Sequence, residues 1–122
     1  MSRPVLTIEV GETLQDAWQL MYVSGLRHLV VLDDEGTPVG VLSDRAVLAD
    51  APVRGEHLEA TVVREVIDRI PRASITAGST ATQAAHEMSH LRVEALPVTE
   101  DDGRLVGIVT ESDVVRWIGN AA

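Results

Sequence analysis

The chain repeats itself at a fixed spacing, and this repeat limits the folds that it can adopt. When the sequence is shifted by 67 positions, residues 5–50 align with residues 72–117 without a gap, and 12 of the 46 aligned pairs are identical. Chance would give about three or four identities at this composition. A unit of about fifty residues buries too little apolar surface to be stable alone. The sequence therefore predicts two similar units that pack against each other.

Both copies carry the same order of local signals. Each begins with a short extended stretch, turns at a glycine, and continues with a helix whose N-cap is Thr13 or Thr80. Two short strands follow, separated by an acidic turn that ends in glycine, and a second helix begins after Ser43 or Thr110. The predicted fold class is mixed α/β (α+β), with two β-α-β-β-α repeats packed about a pseudo-twofold axis.

Element boundaries follow from the same signals. Extended starts are expected at 6–10 and 73–77, and strands at 28–32, 39–42, 95–99 and 105–109. The connector between the copies is expected to form a helix over residues 61–70, stopped by Pro71. We place the first repeat at residues 1–55, and the connector helix with the second repeat at residues 56–122.

The composition excludes several classes of protein. The chain has no Cys and no Lys, and its 10 basic and 19 acidic residues give a formal net charge of -9. Without Cys it has no disulfide, no Cys-ligated metal and no Cys nucleophile, and without Lys it has no Schiff-base chemistry. A net negative chain with two Trp, one Tyr and no Phe has neither the basic surface nor the stacking platform of a nucleic-acid binder.

Membrane and targeting signals are also missing from the sequence. No apolar run approaches the roughly 18 residues that a membrane-spanning helix needs. Residues 1–4 lack the apolar core of a signal peptide. We therefore expect a cytoplasmic protein that binds neither nucleic acid nor a membrane.

One segment matches a catalytic pattern. His86, Glu87 and His90 fit the H-E-x-x-H arrangement of zinc peptidases, in which two His on one helix face bind the metal. The first copy has Gln19 and Val23 at the positions of the two His, so the repeat scaffold does not require them. A third ligand and a substrate cleft are not evident. A zinc peptidase stays a remote alternative, and we expect no enzyme, no catalytic residues and no resident metal.

The repeat pattern resembles the tandem CBS domain pair, also called a Bateman module, over nearly the whole chain. The most specific match lies in the second copy, where the acidic turn separates Leu96-Pro-Val-Thr from Leu105-Val-Gly-Ile-Val-Thr-Glu-Ser-Asp-Val114. The first copy has similar segments at residues 29–32 and 38–47. Residues 63–68 look like the family's lead-in to a repeat. The resemblance implies a regulatory sensor that binds AMP, ADP, ATP, S-adenosylmethionine or NAD(H) between its repeats, controls a partner protein, and forms homodimers.

The ligand motif that this resemblance implies opens the last helix. There, Thr110, Ser112 and Asp113 offer hydroxyl and backbone N–H groups to phosphate oxygens, and a carboxylate that accepts both hydroxyls of a ribose. The same residues also suit a plain helix cap, with Asp113 as the capping partner of Thr110. The first copy has Ser43, but Ala46 stands in place of the carboxylate. We expect one working site and one weak or empty site.

The resemblance also implies which residues hold the adenine. In the family, the base at one repeat's site is held by the extended start and first strand of the other repeat. Opposite Asp113 this points to four residues: Val5, Leu6, Leu26 and Arg27. The alternative is that Leu6 and Leu26 are ordinary core residues. The candidate phosphate partners are Arg27, His28 and Arg116, whereas Glu94 would repel a phosphate at the weaker site.

The predicted function is a stand-alone regulatory CBS pair that binds an adenosyl ligand between its repeats and signals to an unidentified effector protein. No cofactor is obligatory. The alternative, from a different class, is a protein interaction module that needs no ligand, in which Asp113 serves only as a helix cap.

Overall fold

The structure is a computed structural model that describes residues 5–50 and 57–121. The first repeat comprises β1 (Thr7–Glu9), α1 (Leu14–Ser24), β2 (His28–Leu32), β3 (Pro38–Ser43) and α2 (Asp44–Asp50). The connector carries α3 (His57–Ala60) and α4 (Val63–Ile67). The second repeat comprises β4 (Ile75–Thr76), α5 (Ala81–Leu91), β5 (Ala95–Thr99), β6 (Leu105–Thr110) and α6 (Glu111–Ala121).

Each repeat builds one three-stranded sheet, and the two sheets have the same topology. In the first, β2 lies between β1, to which it is parallel, and β3, to which it is antiparallel. In the second, β5 lies in the same way between β4 and β6. The register of both hairpins shifts at the same place, after Val31 and after Val98. The predicted mixed fold with two β-α-β-β-α repeats is confirmed.

Side-chain caps set the start of the first helix in each repeat. The Thr13 hydroxyl accepts a hydrogen bond from the Asp16 N–H at 3.1 Å, and the Thr80 hydroxyl accepts one from the Gln83 N–H at 3.1 Å. In each case the reciprocal bond from the N-cap N–H to the side chain three residues later closes a capping box. Both predicted helix starts are therefore confirmed.

The connector helix is shorter than predicted. The expectation of a helix over residues 61–70 is wrong, because α4 covers only Val63–Ile67 and the chain turns before Pro71 is reached. Val62 stands at the N-cap and has no side-chain oxygen to accept a bond from the first turn. At the other end, the Asp68 N–H donates to the Arg64 carbonyl as the helix closes. Tertiary packing, rather than caps, therefore holds this helix.

That packing places α4 in the core of the first repeat. Val63, Val66 and Ile67 are buried together with residues of α1 and of all three strands. The Ile67 Cδ1 atom lies 3.2 Å from the place that a Cβ atom would take at Gly40, so any side chain at residue 40 would crowd the helix. The predicted domain boundary between residues 55 and 56 stays a prediction, and α4 packs on the repeat that precedes it.

The two repeats meet through their sheets. A buried cluster at the junction contains Val30 and Val41 from the first repeat and Ala95 and Ile108 from the second. Strand β3 contacts strand β5 across this junction. Because removing apolar surface from water is the main stabilising contribution to folding, the shared cluster stabilises both repeats at once.

A substitution in this cluster tests whether the repeats unfold together. We expect Ile108→Ala to lower the free energy of unfolding by about 2–5 kcal/mol, with a single transition in urea. Val115→Ala is the control, because Val115 is 68% exposed and its truncation should change stability by no more than about 0.5 kcal/mol. Two separate transitions, monitored by circular dichroism, would contradict a shared core.

Candidate ligand site at the junction of the repeats

Asp113 is a buried carboxylate at the start of α6, with only 2% of its surface exposed. Its Oδ2 atom accepts hydrogen bonds from the Thr110 N–H at 2.8 Å and from the Thr110 hydroxyl at 3.1 Å. The Thr110 hydroxyl in turn accepts from the Asp113 N–H at 3.3 Å. The Oδ1 atom forms an ion pair with Arg116. The bonds to Thr110 are those of a helix cap, as the sequence indicated.

His28 of the first repeat lies within electrostatic reach of acidic groups in both repeats. It lies at the start of β2, and burial lowers the pKa of its imidazole below the usual value of 6.5, against the opposing effect of nearby acidic groups. Those groups include Asp44 of the first repeat and both Glu94 and Asp113 of the second. The start of β2 therefore lies within electrostatic reach of the start of α6.

The four residues predicted to hold adenine are distributed over different surroundings. Val5 packs against the junction cluster, whereas Leu6 packs against the core of the first repeat. Leu26 and Arg27 line a shallow depression of about 240 Å³ together with Trp18. Of these four residues, Val5 is therefore the one that the structure places against the junction cluster. Ser112, the remaining predicted residue, is exposed in the first turn of α6.

A cleft of about 560 Å³ opens at the junction on the side of the first repeat's motif. Ser43 and Ala46 line it, and they occupy the positions that Thr110 and Asp113 occupy in the second repeat. The Ser43 hydroxyl caps its helix by accepting from the Ala46 N–H at 3.1 Å. The opposite wall comes from residues 91–95, and the floor includes connector residues 69–71. A cleft of this size matches the volume of typical small-molecule sites.

The charge of this cleft differs from the sequence-based expectation. Glu94 was expected to repel a phosphate, but its Oε1 atom lies 3.1 Å from Nη1 of Arg45, which joins the two repeats across the cleft. Both side chains are exposed, so the pair contributes at most about 1 kcal/mol to stability. Its larger effect is to offset the negative charge of Glu94, while Arg92 adds positive charge to the same wall.

Arg92 is held in an unusual backbone conformation. It ends α5 with a φ of 58°, in the left-handed region, where the first repeat has Gly25 with a φ of 76°. A residue other than glycine costs on the order of 1 kcal/mol there. Sequence reasoning did not identify Arg45, Arg69 and Arg92, because the ligand motif is complete only in the second repeat and these residues lie outside it. The arginine at the glycine position of the repeat was the signal that could have revealed this wall.

The two His of the H-E-x-x-H pattern lie on the exposed face of α5. The rings of His86 and His90 stack, with centroids 6.2 Å apart and planes 7° apart. Among the residues that the structure describes, no group of three His, Asp or Glu side chains is arranged to hold a metal ion. The third ligand that a catalytic zinc site requires is therefore absent from the described residues.

Within residues 5–50 and 57–121, no helix has the length and apolar character to cross a membrane.

The model of the CBS domain family matches residues 1–51 and 63–120. The chain therefore belongs to the CBS domain family and carries two CBS domains in tandem. Homoserine O-acetyltransferase from Methanococcoides burtonii is 30% identical over 119 residues. That match covers 98% of this chain and 23% of the relative, so the chain spans about a quarter of the length of that curated protein.

Solved structures show the same fold. The structure of Hypoxic Response Protein I with two coordinated zinc ions is 26% identical and has a TM-score of 0.76, covering 96% of this chain and 94% of that one. The structure of CBSX2 in complex with AMP is also 26% identical, with a TM-score of 0.70 and coverage of 96% and 89%. The predicted membership of the CBS family is thus confirmed.

The lowered pKa of His28 makes the stability of the fold depend on pH. As the pH falls through 6.5, the imidazole binds a proton more readily in the unfolded chain than in the folded one. The free energy of unfolding therefore decreases with falling pH. We expect His28→Gln to show a flatter dependence than the wild type between about pH 7.5 and 5.5. Urea unfolding at a series of pH values measures this, and an unchanged slope would contradict it.

Proposed function

We propose that this CBS pair is a regulatory module that binds an adenine-containing small molecule at the junction of its repeats and transmits binding to an effector protein. The observation that carries the proposal is the buried carboxylate of Asp113 at the start of α6, which acts electrostatically on His28 of the first repeat. The AMP complex of CBSX2 supports this ligand class. The proposal includes a cytoplasmic homodimer with no obligatory cofactor and no catalytic activity of its own.

The geometry of Asp113 suggests how a ribose would bind. The carboxylate is buried, but the Arg116 side chain that pairs with its Oδ1 atom is 68% exposed. Ribose hydroxyls donating to the carboxylate would replace this contact. The released guanidinium would then pair with a phosphate of the ligand. Ligand binding would thus exchange an internal ion pair for contacts to the ligand.

The cleft on the other side would act as the weaker site. Arg92 on its wall offers positive charge to a phosphate, but Ala46 offers no acceptor to a ribose. Each charge-assisted hydrogen bond that is missing costs roughly 1.5–3 kcal/mol of affinity. The asymmetry between Ala46 and Asp113 therefore favours one tight site in each chain.

The match to homoserine O-acetyltransferase does not make this chain an acetyltransferase. It covers 23% of that protein, and residues 1–51 and 63–120 of this chain are accounted for by CBS domains. We assign the similarity to a regulatory CBS part of the longer enzyme.

Removing the carboxylate tests the proposed ribose contact. We expect Asp113→Ala to weaken binding of the tightest ligand among AMP, ADP, ATP, NAD and S-adenosylmethionine by at least about tenfold, since it deletes charge-assisted bonds. The ligand-free variant should lose only about 1–2 kcal/mol of stability, as for other helix caps. Isothermal titration calorimetry measures the affinity. Equal binding by the variant would remove Asp113 from the site.

The repeat supplies a matched variant that should gain a site. Ala46→Asp places a carboxylate at the equivalent position, in the first turn of α2, where an acidic side chain also suits the helix dipole. We expect the calorimetric stoichiometry to rise from one ligand per chain towards two. Two equivalent ligands bound to the wild-type chain would contradict the proposed asymmetry.

A module that binds no ligand is the second candidate function. The observation that favours it is that both Asp113 oxygens already have partners nearby in sequence, Thr110 at the end of β6 and Arg116 in α6. A thermal-shift panel with the five ligands separates the two functions. No stabilisation at millimolar concentration would favour the ligand-independent module.

A further inference from the structure

The second repeat has a groove where the first repeat is covered by the connector. The groove has a volume of about 430 Å³, and its lining includes Ile75, Ala77, Ser79, Ala81, Val98 and Trp117. Shifting these positions by 67 residues leads to the part of the first repeat on which α4 packs. The first repeat therefore shows what kind of segment this surface accepts.

In the first repeat, the covering segment is held by three backbone hydrogen bonds. The Val63 N–H donates to the Glu12 carbonyl at 2.7 Å, and the Arg64 N–H donates to the Val10 carbonyl at 2.9 Å. A third bond runs from the Leu14 N–H to the carbonyl of residue 61 at 2.9 Å. Val62 completes the attachment through a β-bridge to residue 13.

The equivalent backbone groups of the second repeat have no such partner. They are the carbonyls of Ser79 and Ala77 and the N–H of Ala81, and no hydrogen bond engages them within residues 5–50 and 57–121. The N–H of Ala81 belongs to the first turn of α5, where a helix cannot satisfy it internally. Two acceptors and one donor are thus arranged as in the covered repeat.

The groove is also lined by smaller side chains than its counterpart. Ala77 stands at the position of Val10, and Ala81 at the position of Leu14, which is fully buried in the first repeat. Trp117 borders the groove with 37% of its surface exposed. Covering this apolar surface would be favourable, at about 25 cal/mol for each Å² removed from water.

The charges around the groove specify one further feature of the segment. In the first repeat, Nη2 of Arg64 lies 3.2 and 3.1 Å from the two carboxylate oxygens of Asp34 in the hairpin turn. Asp101 occupies the same place in the second hairpin turn, is exposed, and forms no ion pair within the described part of the chain. A basic residue after the first apolar residue of a docked helix would match it.

We infer that this groove docks a short amphipathic helix of a partner protein, and that one residue in an extended conformation precedes this helix. The helix has apolar side chains at positions i, i+3 and i+4, as Val63, Val66 and Ile67 do, and a basic residue at i+1. A second copy of this chain does not supply it readily, because its own α4 is already buried in its first repeat. The inference needs no adenosyl ligand, so it stands apart from the proposed function.

Fluorescence of Trp117 tests the inference directly. In a Trp18→Phe background, whose fold is checked by circular dichroism, Trp117 is the only Trp and reports on the groove. The probe is a synthetic peptide of residues 61–70, titrated without nucleotide to millimolar concentration. We expect a saturable blue shift of the emission as the indole leaves water.

Two variants separate groove binding from adsorption. Ala81→Glu puts a charge in the groove at a helix position that tolerates acidic residues, and it should abolish the shift. Asp101→Arg should weaken binding about threefold, as expected for an exposed ion pair. A peptide in which Arg64 is replaced by Glu should then recover that loss on the Asp101→Arg protein.

Three results would overturn the inference. They are no saturable shift, a shift that Ala81→Glu leaves intact, and a Trp117 emission that depends on protein concentration but not on peptide. The last would identify a second copy of the chain as the occupant, and analytical ultracentrifugation would show the matching dimer. Because no nucleotide is present, failure of the proposed adenosyl site would leave these outcomes unchanged.

Discussion

The apolar contact between the two sheets is the interaction on which the other features of the molecule depend. Val41 on β3 and Ile108 on β6 occupy equivalent positions in the two repeats and are buried in the same cluster. Burying them together requires the sheets to face each other, and this arrangement brings the start of β2 within reach of the start of α6. Both the buried carboxylate and the cleft are consequences of that contact.

The duplication gives the junction two similar sides, and a few substitutions make them different. Ala46 stands in the first copy where the second copy has the carboxylate of Asp113. At the end of the first helix, the first copy has Gly25 and the second has Arg92. In the proposed function, the first change decides whether a ribose finds an acceptor, and the second adds positive charge beside an open cleft. A similar asymmetry applies to the outer faces, since α4 covers only one of the two equivalent grooves.

Local signals predicted the individual elements well because their causes are local. Strands β2 and β5 begin and end where their hydrophobic pattern indicated, and both capping boxes form between residues three positions apart. The connector helix was predicted too long, since its limits depend on its contact with the first repeat and on the absence of a capping side chain at Val62. The membership of the CBS family followed from the repeat and its motif.

The sequence by itself determined the duplication, the mixed fold, and the carboxylate at the start of the last helix, because these follow from spacing and residue type. Only the tertiary structure decided that Arg45 offsets Glu94 across the repeats, and that α4 covers the groove of the first repeat while the described residues leave the equivalent groove of the second repeat open. The physical reason is that cross-repeat charge pairs and groove packing depend on the relative placement of segments distant in sequence. Local propensity carries no information about that placement.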